Sequence, residues 1–390
     1  MKYLVVGDSN SMHIFNFVKT FLLPKGYEVH LLTLSTQRVR EEYRQFYKEH
    51  NVTLHSVAEK GYKGLDKTNK VYRLLNLWRK TRLMKEVPQV DVCHVHSVYK
   101  TSLAMVLQNK NKFKHLILSY WGSDIRDKTP SVLELREKCF EIADAITVTV
   151  EQTQNDFREI HGNKYDNKLS ICRFATDGLN CIKGLSESIT REDCRRAYNV
   201  PEGKVVVTCG YSATSEQHQE QILEELQKMP KELRSRIFAI VPMQYGPKDD
   251  AYFARVEAAK NNADFPCLIL KDYVPFDVSV QLAMATDIYL HMRDTDAFSN
   301  ALKEHVFAGS QVIMGNWLRY IELEKMGADF VGVDSFNEMR QVLENKLESY
   351  RLKDNFNLFT PIYELYSTES VVEQWGKVVD FAVNNGKENI

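Results

Sequence analysis

The sequence predicts an α/β protein of two parallel-sheet units in tandem, and three observations carry that expectation. Short β-branched runs alternate with helical patterns from the first residue. The rhythm lapses between Leu179 and Glu202 and then begins again. At 390 residues the chain exceeds what one core usually supports, so two domains of ordinary size are expected.

The elements follow in chain order. YLVV opens the first sheet, a helix is expected from about His13 to Leu23, and EVHLLTL (Glu28 to Leu34) is the second strand. VDVCHVH (Val90 to His96), KHLILSY (Lys114 to Tyr120), AITVTV (Ala145 to Val150) and KLSICRF (Lys168 to Phe174) complete the first series. ITREDCRRAYNVPEG reads as a short helix between a Thr190 cap and Pro201, with the linker just before it. The second series runs through KVVVTCG (Lys204 to Gly210), a helix from about Glu216, FAIVPM (Phe238 to Met243), and a helix through Tyr252 to Lys260. It continues with CLILKDYV, a helix from about Phe276, DIYLHM (Asp287 to Met292) and QVIMG. Val371 to Val383, with Trp375, reads as a C-terminal helix. Without a repeat period or a low-complexity segment, the pattern describes two Rossmann-like domains facing a central cleft. The expected limits are residues 1–182 and 183–366, with 367–390 a helix and tail that pack back on the first domain.

Composition removes several function classes. Lys and Arg total 51 against 52 Asp and Glu, a net charge of -1, which supplies no global field for nucleic acid. The seven cysteines are scattered singly, as reduced thiols of a cytosolic protein would be, and suggest neither a disulfide framework nor a zinc site. The N-terminal apolar run stops at Gly7, too short for a signal-peptide core or a spanning helix. A soluble or peripherally membrane-bound cytoplasmic protein is expected.

In open α/β sheets ligands bind beyond the carboxyl ends of the strands, which selects five turns. GDSNSMH, after the first strand, has too few glycines for G-x-G-x-x-G; it is either a plain tight turn or an acceptor contact through His13. HVHS places His94 and His96 on one face of a strand end, open to a metal reading or to a cleft-facing His96. In SYWGSDIRD, Asp124 is either a helix cap or a carboxylate aimed at the acceptor hydroxyl or at charge developing on the sugar. CGYSATSEQH offers Ser212, Thr214 and His218 as a diphosphate cradle, against a plain capped turn. HMRDTDAFSNALKEHVFAG is the strongest: Arg293 to Asp296 lead into a helix from about Ser299 whose amides point back at the ligand, with Glu304 eight positions after Asp296. Asp294 and Asp296 also form a D-x-D, which would hold a divalent metal in another architecture.

From Asp296, the run D-A-F-S-N-A-L-K-E followed by A-G and V-I resembles the E-x7-E element of retaining GT-B glycosyltransferases, with Asp for the first Glu. That resemblance implies a GT-B fold and a nucleoside-diphosphate sugar donor (UDP, dTDP or GDP), with no cofactor and no metal required. It implies that Asp296 and the amides of Phe298, Ser299, Asn300 and Ala301 face the sugar and diphosphate, and Glu304 the ribose. His13, His96, W-G-S-D from Trp121 to Asp124, and VPMQYGPKDDAY with Tyr245 resemble bacterial dTDP-Fuc4NAc (4-acetamido-4,6-dideoxygalactose) transferases of surface polysaccharide synthesis. His13, His96 and Asp124 are therefore the expected catalytic group on the acceptor side, with Tyr245 counted on the donor side. The chain departs from the first pattern in having no Arg or Lys between Tyr211 and His218, leaving His218, Arg293 or Lys303 to neutralise the diphosphate. The two resemblances imply opposite stereochemistry, so retention and inversion both stay open.

Between Lys63 and Lys85 lie eight Lys or Arg and one Asp, interleaved with apolar residues. Lys70, Arg73, Trp78, Arg79, Lys80 and Arg82 would rest on anionic lipid head groups, or form an ordinary solvated helix face. A nucleic-acid surface fits less well, since it would need stacking aromatics along a continuous basic face. The expected activity is transfer of a sugar to a saccharide or lipid-linked acceptor in cell-surface polysaccharide synthesis, at the inner face of the plasma membrane. The alternatives are a sugar-nucleotide epimerase of the same fold and a non-catalytic nucleotide-sugar-binding partner.

Overall fold

The computed structural model describes every residue except 36, 57, 59–81, 123, 126, 248, 319 and 386–390. The chain forms two compact units, one of Met1–Ala175 together with the stretch that begins at Thr368, the other Thr176–Ser367.

The first unit holds a seven-stranded parallel sheet of β1 (Lys2–Val6), β2 (Glu28–Thr33), β3 (Thr53–Ser56), β4 (Val90–His96), β5 (Phe113–Tyr120), β6 (Ala145–Val148) and β7 (Leu169–Ile171). Its order is β3-β2-β1-β4-β5-β6-β7. Tyr3, Leu4, Val5 and Val6 are all buried, as a central parallel strand covered on both faces requires. Leu4 and Val6 pack to one side with Cys93 and Val95, while Tyr3 and Val5 pack to the other with Trp375 of the C-terminal helix, Thr368–Asn385. Gly7 ends β1 because a Cβ there would lie 2.2 Å from Ile14 Cδ1; its absence lets helix α1 (Met12–Phe17) start against the strand. Beyond Phe17 the winding loosens to a π-helix over Val18–Leu22.

The second unit holds β8 (Val205–Cys209), β9 (Ile237–Pro242), β10 (Cys267–Leu270), β11 (Ile288–His291), β12 (Gln311–Gly315) and β13 (Phe330–Val333), in the order β10-β9-β8-β11-β12-β13. Helix α2 (Asp177–Ser186) precedes β8, α3 (Gln219–Lys228) follows it, and α4 (Asn300–Phe307) follows β11. Thr190 caps its helix through a full capping box: its hydroxyl accepts from Asp193 N–H at 3.1 Å, and Asp193 accepts from Thr190 N–H at 2.8 Å. Buried Asp287 takes both Arg195 bonds (2.7 and 3.0 Å), the Val206 N–H (2.8 Å) and the Tyr350 hydroxyl (3.0 Å), tying the entry helix and a late turn to the sheet.

Two strands stand beyond those read from sequence, β3 and β13. Both are four-residue edge strands: β3 (TLHS) mixes polar and apolar residues, and β13 (FVGV) is short, partly exposed and broken by a glycine. The helix expected from about Glu216 begins only at Gln219, because His218 takes a left-handed conformation (φ 51°) after a 3-10 turn at Ser215–Gln217. In each sheet the strand order reverses once, between β1 and β4 and between β8 and β11, and ligand sites of open α/β sheets lie beyond the carboxyl ends at that point.

Candidate functional site

In the second unit, the reversal brings the turn after β8 beside the turn after β11. Asp294 N–H donates to Glu216 carbonyl at 3.1 Å, joining the two. Ser212 is buried and its hydroxyl accepts from Gln217, with Thr214 Oγ1 3.5 Å away, so these hydroxyls hold the turn. Ala213 N–H donates to Tyr245 carbonyl, which brings the loop after β9 against the same turn and leaves the Tyr245 ring exposed. His218 Nε2 meets Asp294 Oδ1 at 2.7 Å. Arg293 reaches Glu216 at 2.8 Å and also bonds the Tyr211 hydroxyl.

At the mouth of α4, Ser299 caps the helix by accepting from Leu302 N–H. Phe298 stands at φ 61°, an uncommon conformation for an aromatic residue that turns the chain sharply into the helix. The N–H groups of Asn300 and Ala301 have no acceptor among the described residues, as first-turn amides lack intrahelical partners. They are the free donors of the site, and the helix dipole adds to their pull on an anion.

Glu304, one turn into α4, lies against α2. A Cβ on Gly178 would stand 2.1 Å from Glu304 Oε1, so only glycine leaves room for this carboxylate. Burial pushes its carboxyl up to about 7, with Lys303 pulling it down and Asp177 pushing it further up. No hydrogen bond engages it among the described residues, which leaves its oxygens available to hydroxyl donors.

Two sequence expectations are corrected here. Asp296 does not face outward: its side chain is 4% exposed and both oxygens are taken by Tyr211, Tyr320 and the Ser299 N–H. Lys303 is withdrawn as well, its ammonium 4.5 Å from the Tyr366 ring centre and 5.1 Å from that of Phe298, with Asn300 Oδ1 at 3.4 Å. At the rim stand the guanidinium of Arg293 and, against Asp294, the imidazole of His218. The D-x-D is not assembled as a pair, since Asp294 turns to His218 and Asp296 to the tyrosines. Among the described residues no group of three or more His, Cys, Asp or Glu side chains suits a metal.

In the first unit the reversal joins the turns after β1 and β4. His13 stacks on Phe174 (4.4 Å between ring centres) with Trp121 edge-on at 5.6 Å, all three half-buried. His96 is 1% exposed, packed among Phe17, Trp121 and Trp375, and neither ring nitrogen finds a partner among the described residues. Burial first and His13 second push its pKa down to about 3, so it is a neutral wall residue rather than an exposed base. His94 is spent on Tyr3 (2.8 Å) and Ser119 (2.6 Å). Asp124 is also turned inward: it accepts from the N–H groups of Val98 (2.8 Å), Trp121 (2.9 Å) and Gly122 (2.9 Å), clamping two loops. Of the three residues expected at the acceptor side, only His13 reaches the rim.

Lys70, Arg73, Trp78, Arg79 and Lys80 lie outside the described residues, and Arg82 is exposed. No helix among the described residues is long and apolar enough to cross a membrane. The sequence reading missed Tyr211, His291, Tyr320 and Gly178. Tyr211 sits inside a turn already singled out; Tyr320 and Gly178 arrive from distant segments with no local signal.

Both sheets, their single reversals and the turns gathered there can be set beside solved structures. The glycosyltransferase from Rickettsia africae ESF-5 superposes with a TM-score of 0.67 at 13% identity, covering 100% of this chain and 99% of that one. Anabaena Alr3699/HepE in complex with UDP and glucose gives 0.66 at 12%, covering 97% and 99%. The sucrose-phosphate synthase of Thermosynechococcus elongatus gives 0.65 at 12%, covering 97% and 98%. The fold is GT-B. Residues 2–150 of this GT-B chain also match the family model described as glycosyl transferase 4-like. No curated protein matches its sequence.

Proposed function

We propose that the protein is a glycosyltransferase that moves a sugar from a nucleoside-diphosphate sugar to a saccharide or lipid-linked acceptor in cell-surface polysaccharide synthesis. The observation that carries this is the mouth of α4 in the second unit. Free amides of Asn300 and Ala301 stand with the Arg293 cation at the turn after β11, and Glu304 lies one turn further in with unengaged oxygens. An anion flanked by sugar hydroxyls has the complementary chemistry, which describes a nucleoside diphosphate: the amides and Arg293 take the diphosphate, and Glu304 accepts from the ribose hydroxyls of UDP or GDP, or from the single 3′-hydroxyl of the deoxyribose of dTDP. The same groups stabilise negative charge on the diphosphate as the sugar leaves, so the chain's own residues supply the electrostatic part of catalysis.

The GT-B fold supports this reading, as does the complex of Anabaena Alr3699/HepE, a protein of the same fold, with UDP-glucose. UDP, dTDP and GDP sugars are the candidate donors. The acceptor belongs to the first unit in this reading, with His13, Trp121 and Phe174 offering a ring surface for a sugar face. Reaction takes place at the cytoplasmic side of the membrane, with the basic segment 63–85 against anionic lipid.

The test is isothermal titration with UDP, dTDP and GDP on the wild type and on Glu304→Ala. One nucleotide should bind, and Glu304→Ala should weaken it by ~1–3 kcal/mol, the worth of a hydrogen bond to a charged group. Binding of none of the three, or binding indifferent to residue 304, would reject the site. Conversion of the donor sugar without any acceptor would point to an epimerase instead.

A further inference from the structure

We propose that Tyr320, His291 and Tyr211 are positioning residues for the donor diphosphate: they hold Asp296 as a buried anchor, and Asp296 fixes the mouth of α4 and the guanidinium of Arg293. This rests on the placement of the diphosphate at α4 proposed above.

Asp296 gathers an unusual number of donors. Its Oδ1 accepts from the Tyr211 hydroxyl at 3.0 Å, and its Oδ2 from the Tyr320 hydroxyl at 2.7 Å and the Ser299 N–H at 2.9 Å. His291 Nε2 lies 3.3 Å from Oδ2 and 2.9 Å from the Tyr320 hydroxyl, while its Nδ1 is 3.3 Å from the Tyr289 hydroxyl. One proton arrangement satisfies all of these: Tyr289 O–H donates to His291 Nδ1, His291 Nε2–H donates to Tyr320, and Tyr320 O–H donates to Asp296. The chain runs one way and ends on the carboxylate. Burial would raise the Asp296 pKa, but the close approach of His291 and the bonds from Ser299 and Tyr320 outweigh it and hold the group below the usual carboxylate range.

Both anion-binding elements hang on this one carboxylate. Capture of the Ser299 N–H fixes the chain just after Phe298 turns at φ 61°, and the next two amides, of Asn300 and Ala301, have no acceptor among the described residues. Arg293 lies 3.8 Å from Oδ1 and bonds the same Tyr211 hydroxyl that Asp296 accepts from. With its oxygens occupied, Asp296 acts on a ligand through Ser299 and Arg293 rather than by touching a sugar.

The test separates these roles because a nucleoside diphosphate carries no sugar beyond its own pentose. UDP, dTDP and GDP are titrated into the full chain, and the tightest is carried forward with its monophosphate on Tyr320→Phe and Asp296→Asn. Circular dichroism confirms that the variants are folded. A positioning role predicts about tenfold weaker binding of the diphosphate and less than about threefold change for the monophosphate, which makes fewer contacts at the α4 mouth. A general structural loss would weaken both alike. Unchanged diphosphate binding in the folded variants would return Asp296 to a direct sugar contact. Either result overturns the proposal. A wild type that binds none of the three nucleotides would remove the donor site itself, and a binding site indifferent to Glu304→Ala would show that the diphosphate lies elsewhere.

Discussion

Glu304→Gln isolates the cost of keeping a carboxylate where nucleotide binding would need it. Below about pH 4.5 Glu304 is protonated in folded and unfolded chains alike. From there to about pH 7 the unfolded chain gives up this proton while the folded chain keeps it, because burial raises the folded pKa from 4.5 to about 7. Stability therefore falls as pH rises through this window, by ~1.4 kcal/mol per pH unit, or ~3 kcal/mol in all. Gln has no proton to lose, so Glu304→Gln should match the wild type near pH 4.5 and exceed it by about 2–3 kcal/mol at pH 8, water at the open side trimming the full value. Urea unfolding across pH 4.5–8 measures this directly. Binding should show the opposite trend. If ribose hydroxyls require the carboxylate, the ionised fraction grows about tenfold between pH 6 and 8, and wild-type nucleotide affinity should rise by about the same factor. Glu304→Gln should bind weakly and without that slope. Parallel pH profiles for the two proteins, in stability and in affinity, would refute the placement of a half-buried, unengaged carboxylate here.

Gly178→Ala should act on the same group from the other side. The added methyl would press on Glu304 Oε1, so nucleotide affinity should fall by about tenfold in titration calorimetry while the chain still folds. Arg195→Ala strips a buried partner from Asp287 and should cost about 3–5 kcal/mol in denaturant unfolding, since it leaves an uncompensated charge. Asp124→Asn keeps the shape of the clamp but weakens three bonds from backbone N–H groups; a loss of ~1–3 kcal/mol is expected from thermal unfolding of the first unit. A neutral result there would mean that the loops after β4 and β5 are held by their packing.

The central strands were legible because a parallel strand covered on both faces is predominantly apolar, as YLVV, VVVTC and IYLH are. The edges were less so: Thr53–Ser56 carries mixed residues and Phe330–Val333 is a short run broken by Gly332, and they pair with β2 and β12. The turns that matter were found by a rule about strand ends, which needs no side-chain detail. What each side chain does in those turns was not legible. Asp124 and Asp296 look in sequence like carboxylates offered to a ligand, and both are consumed by backbone N–H groups and hydroxyls of their own unit.

The sequence by itself determined that two α/β units follow one another, and that the segment from Arg293 to Gly309 carries a polar turn into a capped helix. Those properties are local: a strand, a polar turn, a capped helix and the amides of its first turn lie within about twenty residues of each other. Only the tertiary structure decided which groups remain free. Tyr320 reaches Asp296 from the far side of β12, and Gly178 reaches Glu304 from a helix more than a hundred residues earlier. One contact engages a carboxylate within its own unit, and the other leaves room for a second carboxylate that no hydrogen bond engages among the described residues. Burial and hydrogen bonding are set by neighbours in space, and in this chain those neighbours are remote in sequence.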